Sequence, residues 1–487
     1  MGAGVDRRLA AAVLGLSLCA CGESTTGPRL LTMRLAFSVE PGTSEGNVVI
    51  DPPLQVAIQD RAGNIDRQAS TAVTVSLSPN AAGAMLRGTT TVRAVAGIAT
   101  FSDLRIDRPG GGYQLMASAP PLPAAASARF DVHLHFVQVT VGIFHSCGLT
   151  AHGFAYCWGL NDVGQIGDST HVQRLRPALV KGEWTFTQLS AGGDHSCGIV
   201  PGGAAYCWGS NFSGQLGDSS MEDRLVPVRV AGSRAFAQLS AGSFHTCALA
   251  AAGDAWCWGS NLFGALGDGS QSLRTFPVPV GGGLQFSQLS AGGVHSCGIA
   301  LGNAAYCWGW NGGGQVGDST TTTRLSPTPV YGGLSFAEIS ANPGSDLEGH
   351  TCAVTTGGVV YCWGTNQNGE LGDSTNNGHL SPSAVLGALQ ASYVGAARGY
   401  GCALTTGQAL HCWGINADGE LGDGTTDPHP TPNLVAGSLI ITQVSARFDH
   451  ACGVTATQAA YCWGTNDHGQ LGDGTTTPRL APTAVIQ

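Results

Sequence analysis

Charge is what this chain has least of: Asp, Glu, Lys and Arg together make only 11% of its 487 residues, with a net charge of −10. Lys and Arg form no run. A nucleic-acid binder needs clustered cations to displace counterions from phosphates, so DNA and RNA are not expected partners. Long apolar runs are missing as well. The stretch from Leu9 to Leu18 is too short to span a bilayer. No Gly-rich phosphate loop, nucleophile elbow or metalloprotease helix motif occurs. What is abundant is glycine, 73 residues, about twice the usual share. With 43% hydrophobic residues this is no disordered chain. Frequent glycine and low charge suit many tight turns between short strands.

The N-terminus reads as an export signal. Arg7 and Arg8 precede the apolar stretch, which ends in Leu18-Cys19-Ala20-Cys21. That ending resembles a bacterial lipobox, and Cys21 fits its acylated position better than Cys19 because Ala20 before it is small. The resemblance implies a signal peptide over 1–20, a polar tether over 21–29, and lipid anchoring in the cell envelope. Gly22 stands where Asp would favour inner-membrane retention, which leans toward the outer membrane.

Residues 30–134 contain no cysteine and no copy of the later repeat. Leu54-Gln55-Val56-Ala57-Ile58 and Val73-Thr74-Val75-Ser76-Leu77 alternate apolar and polar positions between turn formers, the pattern of half-buried sandwich strands. Together with Gly97-Ile98-Ala99-Thr100-Phe101 and Gly112-Tyr113-Gln114-Leu115, this segment resembles the immunoglobulin-like domains of bacterial surface proteins. The resemblance implies a β-sandwich acting as a spacer.

Internal repetition dominates residues 135–487. Cys-Trp-Gly begins at Cys157, Cys207, Cys257, Cys307, Cys362, Cys412 and Cys462, at spacings of 50, 50, 50, 55, 50 and 50. Each copy holds about four β-prone runs between glycine-rich turns. Such a unit cannot bury both faces alone, and seven stacked around an axis solve that. The phrase Trp-Gly-x-Asn-x-x-Gly-Gln-Leu-Gly-Asp, whole at Trp208 to Asp218, closely resembles the regulator-of-chromosome-condensation repeat. The resemblance implies an all-β chain: a seven-bladed β-propeller preceded by the sandwich.

Of 16 cysteines, 14 fall two per repeat, ten residues apart: Cys147/Cys157, Cys197/Cys207, Cys247/Cys257, Cys297/Cys307, Cys352/Cys362, Cys402/Cys412 and Cys452/Cys462. Counting outward from a three-residue loop at Ala151-His152-Gly153 sets Cys147 directly opposite Cys157, within disulfide reach. Seven cross-strand disulfides are therefore expected, as an oxidising compartment allows. Zinc is the competing reading, because His145 and its counterparts stand two residues before the first Cys in six repeats. Repeat six has Tyr400 there, and the His–Cys spacing is short for a zinc knuckle.

The recurring His145, His195, His245, His295, His350 and His450 are expected to bond backbone at a strand start rather than to catalyse. Asp168, Asp218, Asp268, Asp318, Asp373, Asp423 and Asp473 read as turn caps, each paired with its copy's Arg or His, such as Arg224 or His379. Catalysis needs a singular group, and repetition supplies none. No catalytic residue, metal or cofactor is expected, and the chain is not read as an enzyme. Departures from the repeat are the informative positions. Repeat five inserts about five residues within Asn342 to Gly349, bringing Asp346, Leu347 and Glu348, while Phe244 and Phe448 stand just before the His of their copies. Variable aromatics also include Phe144, Phe212, Phe263, Trp310 and Tyr400. These readings give a monomeric, exported binding protein whose partner is a protein or glycan, with Asp346, Leu347, Glu348, Phe244 and Phe448 on the binding face. Among relatives of the repeat, a secreted β-lactamase inhibitor and a GTPase exchange factor supply the alternatives: inhibition of a cell-wall-active enzyme, or nucleotide exchange.

Overall fold

The computed structural model describes residues 33–78, 83–182, 184–344 and 349–486. The stretches read as signal peptide (1–20) and tether (21–29), Cys21 among them, lie outside these residues, as do Asp346, Leu347 and Glu348. The described chain is all-β, with a single 3-10 turn at Gly281–Gly283. Among the described residues no helix is long and apolar enough to cross a membrane.

The first unit packs four sheets over one core. One joins Arg34–Val39, Leu54–Gln59 and Ile98–Phe101, and a second joins Leu122–Ala126, Leu115–Ala119, Ala72–Leu77 and Thr91–Arg93; a third joins Ser44–Glu45, Phe130–His133 and Gly110–Tyr113, and a fourth pairs Leu86–Arg87 with Arg105–Ile106. Leu54 and Val56 from the first meet Val73, Val75, Leu115 and Ala117 from the second, all buried. The strands anticipated from alternation at Leu54 and Val73 are both present.

From Phe136 onward the chain forms seven four-stranded antiparallel sheets, each consecutive in sequence. Blades 1 to 7 span 136–179, 188–229, 236–279, 286–329, 336–384, 391–434 and 441–484. Within each, the second and third strands make the predicted hairpin: Leu149 pairs with Ala155, Gly148 with Tyr156, and Cys147 with Cys157. All seven disulfides form, across Cα separations of 4.0–4.1 Å.

The repeated phrase is the joint between blades. Trp208 is fully buried, and its indole N–H donates to the Gln165 carbonyl of blade 1 at 3.0 Å. The glycine before each Asp makes room for that indole. Gly217 has φ +70°, and a Cβ there would lie 2.6 Å from Trp258 Nε1 of the next blade. Asn211 is buried inside its turn: Nδ2 donates to Asp218 Oδ1 at 3.1 Å, and Oδ1 accepts Leu216 N–H at 3.0 Å. Asp218 caps Ser220 N–H at 3.0 Å and pairs with Arg224 at 2.9 Å. Burial raises its carboxyl, but the bonds from Ser220 and Arg224 outweigh that and hold it below the usual carboxylate range. The turn-cap reading of the Asp residues and their pairing with Arg or His thus describe the fold, down to His379 and His429 in blades 5 and 6.

The ring closes side by side rather than by strand exchange. Trp158 of blade 1 donates to the Gln470 carbonyl of blade 7 at 2.8 Å, as every other Trp does to the blade before it. Val139 N–H meets Gln443 Oε1 at 2.8 Å, and Val141 N–H meets Ser445 Oγ at 3.2 Å. Arg447 reaches from blade 7 across the ring, donating to the carbonyls of Ala191, Ala241 and Ala291 at 2.9, 2.8 and 3.0 Å. The first unit sits on blade 1. His152 pairs with Glu45 at 3.1 Å, and Tyr156 is fully buried where its counterparts Tyr206 and Tyr306 are half-buried.

Candidate functional site

The recurring histidines are structural, by a route the sequence reading did not anticipate. They do not bond backbone at their own strand start. In five of the six, Nε2 instead faces the hydroxyl at the next residue position of the next blade: His145 to Ser196 at 2.9 Å, His195 to Thr246 at 2.8 Å, His245 to Ser296 at 2.8 Å, His295 to Thr351 at 2.9 Å and His450 to Ser146 at 2.8 Å. The partner lies a whole repeat away, which a single copy cannot reveal. Ser196 Oγ spends its one proton on the Gln165 carbonyl at 3.1 Å, so His145 must donate from Nε2. Burial drives these imidazoles down to a pKa of about 3, or about 4 for His245, and keeps them neutral. With all fourteen repeat cysteines in disulfides and five of the six histidines turned to hydroxyls, the zinc reading has no ligand set among the described residues.

Blade 6 breaks this ring and repairs most of it. Tyr400 replaces the His, and its hydroxyl donates to the His450 carbonyl at 2.9 Å. Gly401 replaces the Ser or Thr, and Ala451 does so in blade 7. Gly395 replaces the Ser or Thr that elsewhere accepts a neighbour's N–H, and the Tyr393 hydroxyl takes Ala446 N–H instead. One loss stays open: with Gly401 opposite, His350 Nε2 has no hydrogen-bond partner among the described residues, although its side chain is buried.

On one face the loop between strands three and four of each blade meets the loop between strands one and two of the next. The chemistry of these seams differs around the ring. Phe212 of blade 2 stacks edge-on to Phe244 of blade 3 at 5.7 Å, and Phe263 of blade 3 packs on Trp310 of blade 4 at 4.9 Å. Phe212 is 56% exposed and its neighbour Leu262 is 68% exposed, while Phe244, Phe263 and Trp310 are half-buried. A cavity of about 130 Å³ opens among Phe244, Leu262, Phe263 and Val294. Where blade 7 meets blade 1, Phe144 packs on His468 at 4.8 Å.

The seams of blades 5, 6 and 7 are polar instead. A cavity of about 360 Å³ is lined by His350, Glu370, Arg398, Asp418, Glu420 and Asp449, among others. Residue-by-residue reading missed this group. Its signal was present in the repeat itself: Glu370 and Glu420 stand where four other copies have Gln.

Two expectations about the binding face need correction. Phe448 is only 2% exposed, with φ +50°, and Tyr400 is fully buried, so neither offers an aromatic to solvent. Phe448 follows Arg447, whose guanidinium is drawn over the ring centre. The described start of the blade 5 insertion also turns inward: Asn342, Pro343 and Gly344 are buried, Asn342 Nδ2 donates to the Ala397 carbonyl, and the Pro343 carbonyl accepts from Ser243 of blade 3. Phe244 remains on the face, within the aromatic seam.

Two models of the regulator of chromosome condensation (RCC1) repeat match, one at residues 152–199, 202–249, 252–299 and 459–487, the other at 136–165, 186–215, 236–265, 348–370 and 441–470. No curated protein matches the chain. Among solved structures, human WBSCR16 is similar at 18% identity and a TM-score of 0.61, covering 69% of this chain and 94% of its own. Yeast RCC1 (Prp20) bound to Kap60 is similar at 19% identity and a TM-score of 0.60, covering 73% and 85%. Prp20p of Saccharomyces cerevisiae, described with its binding properties to Gsp1p and histones, gives 20% identity, a TM-score of 0.60, and coverage of 73% and 88%. At these identities the likeness is one of fold. The chain carries RCC1 repeats in a propeller like theirs.

Proposed function

We propose that the protein is an exported, lipid-anchored binding module of the cell envelope that presents one propeller face to a protein partner. The observation that carries this is the aromatic seam: Phe212, Phe244, Leu262, Phe263 and Trp310 share one face over blades 2 to 4. Aromatic side chains held on rigid loops are the usual anchors of protein interfaces, and contiguous exposed apolar groups mark interaction sites. Propellers similar in fold have been described with protein partners, Kap60 in one case, Gsp1p and histones in another. The first unit, read as an immunoglobulin-like spacer, and the Cys21 anchor would together hold the face away from the membrane.

The test places a photo-crosslinking residue at Phe212 or Leu262 and, as a control, at Leu301, which is 61% exposed on a hairpin of the opposite face. The protein is expressed in its native envelope. A defined protein adduct is expected from the first two sites and not from the third. Adducts from Leu301 alone would move the site to the other face. Separately, Cys21→Ser is expected to release soluble protein while Cys19→Ser stays membrane-bound; release by the Cys19 change alone would refute the anchor.

A further inference from the structure

The acidic pocket at the seams of blades 5, 6 and 7 contains more charge than the scaffold needs. In blades 1, 2, 4 and 7 a glutamine fills the equivalent position. Its Oε1 accepts the backbone N–H two residues earlier: Val163 to Gln165 at 3.1 Å, Ser213 to Gln215 at 2.8 Å, Gly313 to Gln315 at 2.9 Å and His468 to Gln470 at 2.9 Å. Glu370 Oε2 accepts Asn368 N–H at 2.7 Å, and Glu420 Oε2 accepts Asp418 N–H at 2.9 Å. A neutral amide therefore does the structural work four times over. The carboxylates add a buried negative charge to the same bond, each only 3% exposed. Burying a carboxylate without a matching cation is costly, and burial raises both carboxyls here.

The remaining lining deepens the imbalance. Asp418 accepts the Thr465 hydroxyl at 3.0 Å, and Asp449 pairs with Arg398 at 3.3 Å, so among the described lining residues one guanidinium accompanies four carboxyl groups. His350 is the independent sign of a ligand. It is 1% exposed, lines the same pocket, and is the one recurring histidine facing a glycine in the next blade. Asn342 Nδ2 approaches its Nδ1 at 3.4 Å, which puts the imidazole proton on Nε2, and that N–H has no acceptor among the described residues. The pocket thus asks for a cation that brings an oxygen acceptor with it. Among the described residues no cluster of ligands suits a metal ion.

We propose that this pocket receives a basic side chain, a lysine ammonium or arginine guanidinium, from a polypeptide, with Glu370 and Glu420 as the charge partners and His350 Nε2 donating to a peptide carbonyl. The pocket lies on the same face as the aromatic seam, so the inference rests on the proposed protein-binding role for its biological source. The pocket itself is testable without that partner. The probe is acetyl-Gly-Lys-Gly-amide, titrated into the whole chain and followed by the His350 imidazole resonances and by calorimetry. Its Nζ-acetylated twin removes the charge, and glucosamine supplies an ammonium from a different class of molecule. Binding of the lysine peptide is expected, weakened about tenfold or more by acetylation and by E370Q/E420Q, the loss of one charge contact. The double variant is expected to fold normally, since it restores the residue of the other blades; its melting temperature verifies this. No binding of the lysine peptide, equal binding of its acetylated twin, indifference to E370Q/E420Q, or preference for glucosamine would each overturn the assignment. None of those results bears on crosslinking at Phe212 and Leu262.

Discussion

Six imidazoles locked neutral inside the ring give the protein an acid limit. Each titrates near its ordinary value when unfolded and near 3 to 4 when folded, so the unfolded chain binds more protons as pH drops below about 6.5. Their contribution is therefore present above that pH and lost below it, at about 1.4 kcal/mol per histidine per pH unit. The melting temperature should fall steeply from pH 6.5 to pH 5; a flat profile would show that the imidazoles are not buried neutral. Glu338 runs the other way. It holds the position of Gln138, Gln188, Gln238, Gln288 and Gln443, and burial pushes its carboxyl up to about 7 despite a bond with Gln288. A raised carboxyl favours the protonated fold, so stability is lost as pH rises from about 4.5 through 7. Glu338→Gln should thus stabilise by on the order of 2 kcal/mol at pH 8 and by little at pH 4.5. At this scale the sequence revealed which residues recur but not whom they touch. His145 and Ser196 sit 51 positions apart, and only the ring brings them together.

A blade was the most legible element. The three-residue loop and the two-residue period of a strand, both readable in the sequence, set the hairpin register and with it the disulfide pairing. The blade 5 insertion was not legible in the same way. Its length marks a departure, but the inward course of Asn342 and Pro343 depends on Ala397 and Ser243, in other blades. Because every disulfide closes the same ten-residue separation, each should contribute alike, roughly 2–3 kcal/mol in the chain-entropy model. Replacing Cys197 and Cys207 with alanine is expected to cost about the same as replacing Cys352 and Cys362. Chemical denaturation of both variants tests this. A cost confined to one blade would mean that local packing, not loop closure, sets the value.

For the whole molecule, closure is the demanding step, because nothing in a repeat tells the seventh copy to find the first. The Trp158–Gln470 joint is an ordinary inter-blade bond and does not single out that seam. Arg447 is different. It occupies the inner end of blade 7, burial lowers its pKa to about 10, and its bonds go to blades 2, 3 and 4, across the ring rather than to its neighbours. A closed ring of the right size is the only arrangement that brings Ala191, Ala241 and Ala291 carbonyls to one guanidinium. Losing it leaves three inner carbonyls without their charged donor, at about 1.5–3 kcal/mol per charged bond, offset in part by relief from burying the cation. Arg447→Met should therefore lower the melting temperature and, more tellingly, speed hydrogen exchange at the inner strands of blades 2, 3 and 4 together. Blades 5 and 6, which Arg447 does not touch through these bonds, should keep their protection. Exchange that rises only in blade 7 would show that the cross-ring bonds contribute nothing to closure and that side-by-side joints alone hold the propeller shut.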